Sequence, residues 1–141
     1  MTTQKIEPRK EIDEFGNEYL CYYDENGKVI HKKYSEGDEF WFEYDKKGNI
    51  IHKKCPNGYE FWFDENGKII HKKWSNGDEV WYEYDENGKI IHEKWSNGNE
   101  YWFDENDNLI HKKWSDGDEY WFDKNDNLIS EAEFNKIWEK K

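Results

Sequence analysis

The chain has 141 residues, a one-domain length, and carries 33 acidic against 21 basic side chains for a net charge of −12. Hydrophobic residues make up only 34%, yet aromatics reach 19%, which excludes simple acidic disorder, a state poor in aromatics. No apolar run approaches the ~18–20 residues of a bilayer span, and the charge disfavours direct nucleic-acid or membrane binding while favouring a basic protein partner.

In chain order, residues 1–13 (MTTQKIEPRKEID) come first. They lack the apolar core of a signal peptide, so the expected compartment is the cytoplasm. With Pro8 and no periodicity they read as a flexible N-terminal arm or an irregular N-terminal cap. Residues 14–130 hold six repeat units, beginning near Glu14, Ser35, Pro56, Ser75, Ser96 and Ser115. Each unit has two turn signals. One is Asp-x-x-Gly, as in Asp85-Glu86-Asn87-Gly88, and the other is Ser-x-Gly, as in Ser75-Asn76-Gly77. Both suit a type I turn closed by a bulge residue at positive φ. Units five and six put Asp107 and Asp126 at that glycine position, which Asp tolerates better than most residues.

Between the turns lie runs rich in Trp, Tyr, Phe, Val and Ile, which read as strands. The spacing from glycine to glycine is 11 residues in long units (Gly37 to Gly48) and 9 in short ones (Gly58 to Gly67). The difference is the strand period, so every side chain keeps its face. The fold class is therefore all-β: an antiparallel meander of about six hairpins forming a twisted or superhelical single sheet. Pairing Asp85 with Lys89 across the loop places Val80, Tyr82 and Tyr84 with Ile90, His92 and Lys94. It places Glu79, Trp81 and Glu83 with Ile91, Glu93 and Trp95. Both faces then carry aromatic stripes. In residues 131–141 the pattern turns helical: Ser130 and Glu133 form a capping box, and Phe134, Ile137 and Trp138 follow at helical spacing. A short amphipathic helix is expected to cap the last hairpin, as repeat arrays require.

At Tyr23-Asp24, Tyr44-Asp45 and Tyr84-Asp85 the unit reads Tyr-Asp-x-x-Gly-x-Ile/Val. This resembles the YD (Rhs-type) repeat of bacterial polymorphic toxins, in which hairpins wind into a spiral shell around a toxin. Six units are too few to enclose a protein, so the resemblance implies the hairpin winding and not the shell. Trp74…Gly77…Trp81-Tyr82…Asp85…Gly88 is also similar to choline- and glucan-binding cell-wall repeats.

The five histidines, His31, His52, His71, His92 and His111, sit in equivalent positions two strands apart, ~9.6 Å, too far to share a metal. They read as structural, with the imidazoles covering aromatic neighbours. Asp104–Asn108 and Asp123–Asn127 mimic the start of a calcium loop but lack its glycine and its closing glutamate, so they read as turns. Cys21 and Cys55 stand where sister units have Phe42 and Trp74, as packed thiols. Repeated acids distribute the same groups along a surface and offer no asymmetric site, so no catalysis and no cofactor are expected.

The functional expectation is a non-enzymatic, macromolecule-binding repeat protein. The best reading is an acidic stoichiometric inhibitor of the immunity or anti-defence type, occluding a basic site on a partner such as a nuclease. The alternative is a choline- or glycan-binding aromatic module. Candidate partner-binding residues are Trp41, Trp62, Trp81, Trp102 and Trp121, with Asp45, Asp64, Asp85, Asp104 and Asp123 on the acidic rim. Open sheet edges would also allow self-association.

Overall fold

A computed structural model describes residues 6–138. They form a thirteen-stranded antiparallel meander in which strand order is chain order, followed by one helix. The chain divides into two compact units, residues 1–75 and 76–141. The first holds β1 (Arg9–Ile12), β2 (Glu18–Tyr23), β3 (Val29–Tyr34), β4 (Glu39–Tyr44), β5 (Ile50–Lys54), β6 (Glu60–Phe63) and β7 (Ile69–Lys73). The second holds β8 (Glu79–Tyr84), β9 (Ile90–Trp95), β10 (Glu100–Phe103), β11 (Leu109–Lys113), β12 (Glu119–Phe122), β13 (Leu128–Ile129) and α1 (Glu131–Trp138).

The turns form as their residues dictate. In Asp85–Lys89 the Gly88 amide donates to the Asp85 carbonyl at 3.0 Å and the Asp85 amide to the Lys89 carbonyl at 2.8 Å. That is a type I turn closed by a bulge residue at positive φ, and Gly88 has φ 80°. Asp107 and Asp126 take the same conformation, at 66° and 65°, so these two turns survive without glycine. The turn Asp13–Gly16 is a further copy of the motif, with the Gly16 amide on the Asp13 carbonyl at 3.0 Å. It folds residues 9–12 back on β2 as β1, so part of the segment expected to be a flexible arm is a strand. Residues 1–5 lie outside the described residues.

The register corrects the expected faces. Tyr84 pairs with Ile90 as anticipated, but Glu83 pairs with His92, Tyr82 with Glu93, Trp81 with Lys94 and Val80 with Trp95. Ile91 is skipped by a second bulge, one residue beyond Ile90. An extra residue in one strand reverses the alternation of everything after it. The same skip falls at Ile30, Ile51, Ile70 and Ile110. As a result His92 shares a face with Glu83 and Trp81, not with Tyr82 and Tyr84.

Side chains are covered by neighbours on their own face, strand to strand. Among the described residues only Cys21 and Val80 are fully buried, at 2% and 0% exposure, and both lie on the face opposite the histidines. Backbone beside the bulges is stapled by adjoining hairpins: the Tyr44 hydroxyl donates to the Val29 carbonyl at 2.6 Å. At the Ser turns the Ser96 amide donates to the Glu79 carbonyl at 2.8 Å, and the Glu79 amide to Ser96 Oγ at 2.9 Å.

The capping helix forms as expected. Glu133 donates its amide to Ser130 Oγ at 3.2 Å, and Phe134, Ile137 and Trp138 are its half-buried residues. The Trp138 indole donates to the Phe122 carbonyl at 3.0 Å, and Phe134 lies 5.8 Å from His111 ring to ring. Residues 139–141 lie outside the described residues.

Candidate binding faces and rims

The five candidate tryptophans lie on the histidine face, and imidazoles alternate with them. In the first unit His31 stacks on Trp41 at 4.5 Å and 10°, with Tyr22 on its other side at 4.9 Å and 20°. Trp62 is held between His52 (4.6 Å, 10°) and His71 (4.1 Å, 16°). In the second unit Trp102 lies between His92 (4.7 Å, 14°) and His111 (4.2 Å, 15°), and His111 reaches Trp121 at 5.1 Å. The expected role of the imidazoles, covering aromatic neighbours, is the observed one.

Long and short hairpins produce different rungs. In a short hairpin Trp62 pairs directly with His71 and the stack continues. In the long hairpin β4–β5 two extra residues place Glu43 opposite His52 and Lys54 opposite Trp41. Lys54 Nζ then lies 5.9 Å from the centre of the Trp41 ring, so this ring face holds a cation. Trp41 and Trp81, the tryptophans of the long hairpins, are the more exposed members, at 39% each.

Glutamates brace the imidazoles from the sides. His52 has Glu43 at 3.2 Å on Nδ1 and Glu60 at 3.0 Å on Nε2. His92 repeats the pattern with Glu83 at 3.3 Å and Glu100 at 3.1 Å. His111 Nε2 lies 3.2 Å from Glu119, whereas the buried Nε2 of His31 has no hydrogen-bond partner among the described residues and sits 3.5 Å from Glu39. Three lysines on this face are ion-paired: Lys10 with Glu18 (3.3 Å), Lys33 with Glu39 (3.9 Å) and Lys73 with Glu60 (4.0 Å).

The candidate aspartates lie elsewhere, in the turns at the hairpin ends, and are not brought beside the tryptophans. Each turns an oxygen inward: Oδ1 of Asp45 accepts from the Lys47 and Asn49 amides at 2.9 Å each, and Asp64, Asp85, Asp104 and Asp123 do the same in their turns. The Asn49 and Asn127 amides hold the Asp45 and Asp123 carboxyls below the ordinary value. For Asp104 burial acts upward, and hydrogen bonds led by the Asn108 amide outweigh it. Exposed acids at the hairpin ends include Glu25, Glu65, Glu86 and Glu105, together with Asp107 and Asp126.

The opposite face is aromatic and lysine-bearing. Lys32 pairs with Cys21 and Phe40, and Lys53 with Phe42 and Phe61. In the second unit Glu93 pairs with Tyr82 and Tyr101, and Lys112 with Tyr101 and Tyr120. Cys21 and Cys55 are free thiols packed in this setting, and burial pushes the Cys55 thiol up, against the pull of Lys53. Among the described residues no group of three or more His, Cys, Asp or Glu is placed to hold a metal. No described helix is long and apolar enough to cross a membrane.

Sequence reasoning missed the histidine–tryptophan pairing and the lysine column. A signal for the first was present: each of these Trp residues follows a His by ten positions (31 to 41, 52 to 62, 71 to 81, 92 to 102, 111 to 121), whereas Trp to the next His is 11 or 9. The constant interval is the one that spans the Ser-type turn, whose flanking strands pair without a register shift.

The MORN repeat variant family matches residues 56–73, 80–94 and 115–136. No curated protein matches the chain. Among solved structures the chain is similar to the Photorhabdus luminescens Tc holotoxin pore, at 17% identity and a TM-score of 0.41, over 83% of this chain and 7% of that one. A TcdB2–TccC3 structure gives 17% and 0.39 over 80% and 7%, and the G-box domain of the microcephaly protein CPAP gives 12% and 0.30 over 86% and 96%. The chain thus spans 7% of the length of the toxin chains it matches.

Proposed function

We propose that this repeat β-hairpin protein is a non-enzymatic binding protein that covers a basic site on a partner protein, as a stoichiometric inhibitor of the immunity or anti-defence type. The carrying observation is where its negative charge sits. On the histidine face Lys10, Lys33 and Lys73 pair with glutamates, while the carboxylates of Glu25, Glu65, Glu86 and Glu105, with no ion pair among the described residues, stand exposed on the turns. A row of repeated acids along a rim steers a basic surface and imitates a run of phosphates. The likeness of its Tyr-Asp-x-x-Gly units to toxin-associated YD repeats fits the same biology.

The test immobilises the wild type and a variant with Glu25, Glu65, Glu86 and Glu105 all changed to Gln, and challenges both with host proteins. The wild type should retain a basic enzyme and silence it at one-to-one stoichiometry. Retention should weaken as salt rises from 0.05 to 0.5 M, where screening confines charge interactions to a few ångströms. Capture indifferent to salt and to the Gln changes overturns the reading.

A second reading, a quaternary-ammonium or glycan module, draws on the Lys54 ammonium over Trp41, since that ring already accepts a cation. Tryptophan fluorescence titrated with choline and with oligosaccharides separates the two: saturable quenching, with no protein retained in the capture, would reverse the ranking.

A further inference from the structure

On the face opposite the histidines, the first unit's strand residues include Arg9, Lys32, Lys53 and Lys72 against the acid Glu11, as the register assigns them. In a chain of net charge −12 this cationic strip is an exception. Lys32 and Lys53 have no carboxylate partner among the described residues. Their contacts are aromatic: Lys32 Nζ lies 5.3 Å from the Tyr19 ring centre, and Lys53 Nζ lies 5.5 Å from Phe40 and 5.8 Å from Phe42. Arg9 is placed likewise, 5.4 Å from Tyr23. Lys32 and Lys53 are thus held half under rings with no carboxylate partner among the described residues, while Lys33, beside Lys32 on the other face, is ion-paired with Glu39.

From this we propose that the Lys32–Lys53–Lys72 face of the first unit binds an acidic, extended peptide segment of another protein. Spacing sets the segment's character. Lys53 and Lys72 both pair with Phe61, so they stand two strands apart without offset, ~9.6 Å. Lys32 and Lys53 pair with Phe40 and Phe42, a two-residue offset that lengthens the backbone separation to ~12 Å. A polyproline II strand rises ~3.1 Å per residue with three residues per turn, so acids at every third position line one side at ~9.3 Å. Aromatic-floored surfaces suit such segments because their conformation is largely preset and little ordering is lost on binding. The ammoniums supply the selectivity for acids.

This surface is separate from the acidic rim, so its test stands apart from that reading. The probes are the synthetic peptides acetyl-(Glu-Pro-Pro)4-amide, its Gln and Lys counterparts, titrated into the intact protein by calorimetry. The Glu peptide should bind, and the Gln and Lys peptides should bind at least tenfold more weakly. Lys32→Gln and Lys53→Gln should each weaken the Glu peptide about tenfold, Lys53→Arg should retain it, and Lys33→Gln on the opposite face should leave it unchanged. Circular dichroism and thermal melts verify the fold of each variant. Absence of Glu-peptide binding at millimolar concentration, equal binding of the Gln peptide, or equal losses from Lys33→Gln and Lys53→Gln each overturn the proposal.

Discussion

At the scale of single residues, equivalent tryptophans have unequal jobs because hairpin length sets what lies on either side of them. Trp62 is covered on both faces by imidazoles, while Trp41 has one imidazole and one lysine and is 39% exposed. Trp62→Ala should cost about 2–3 kcal/mol in urea unfolding and Trp41→Ala about 1, since stacking and covered area both scale with the neighbours lost. The turn aspartates give a pH prediction. The Asn17, Asn49 and Asn127 amides keep the Asp13, Asp45 and Asp123 carboxyls below the ordinary value, and Asp104 is lowered despite burial. A carboxyl depressed in the folded state adds stability that is complete above its unfolded value, about 3.9, and is lost as pH falls through the folded one. Urea midpoints should therefore drop below about pH 4. Changing all four to Asn preserves the turn acceptor and should flatten that drop, and an unaltered acid limb would refute the account.

At the scale of elements, the hairpin is the unit, and its bulge decides its faces. The bulges at Ile30, Ile51, Ile70, Ile91 and Ile110 turn each histidine towards its tryptophan, and backbone beside one of them is satisfied from outside by Tyr44. Tyr44→Phe leaves the Val29 carbonyl without that donor and should cost about 1 kcal/mol, read as a lower urea midpoint with unchanged slope. At the C-terminal end Ser130 caps α1, so Ser130→Ala should destabilise the helix by about 1 kcal/mol. Amide exchange should quicken first in residues 131–138, with β8–β10 unaffected. The repeated turns, the strand runs and this helix were all legible in the sequence, because each rests on local chemistry: Asx hydrogen bonds, positive φ and a capping box. The bulges were not, because no residue type demands one, and an isoleucine in a bulge is indistinguishable from an isoleucine in a ladder.

At the scale of the whole molecule, stability is spread along the meander. With Cys21 and Val80 alone fully buried among the described residues, each hairpin draws its covering from the rings and ion pairs beside it. The same repetition spreads charge, leaving exposed acids on the turns and uncompensated lysines on one face of the first unit. Neutralising Lys32 or Lys53 therefore should not destabilise the fold by more than about 1 kcal/mol, because cation–ring contacts but no ion pair are lost. A larger loss in the thermal melt would assign these lysines a structural role.

The amino-acid sequence by itself determined the fold class, the recurrent turns from Asp24 onward and the terminal helix, since all follow from short-range periodicity and backbone preference. Only the tertiary structure decided which side chains share a face, that histidines alternate with tryptophans, and that Lys32, Lys53 and Lys72 line the face opposite them. The physical reason is that face and partner depend on register, and one skipped residue, invisible to local preference, reverses the alternation of everything beyond it.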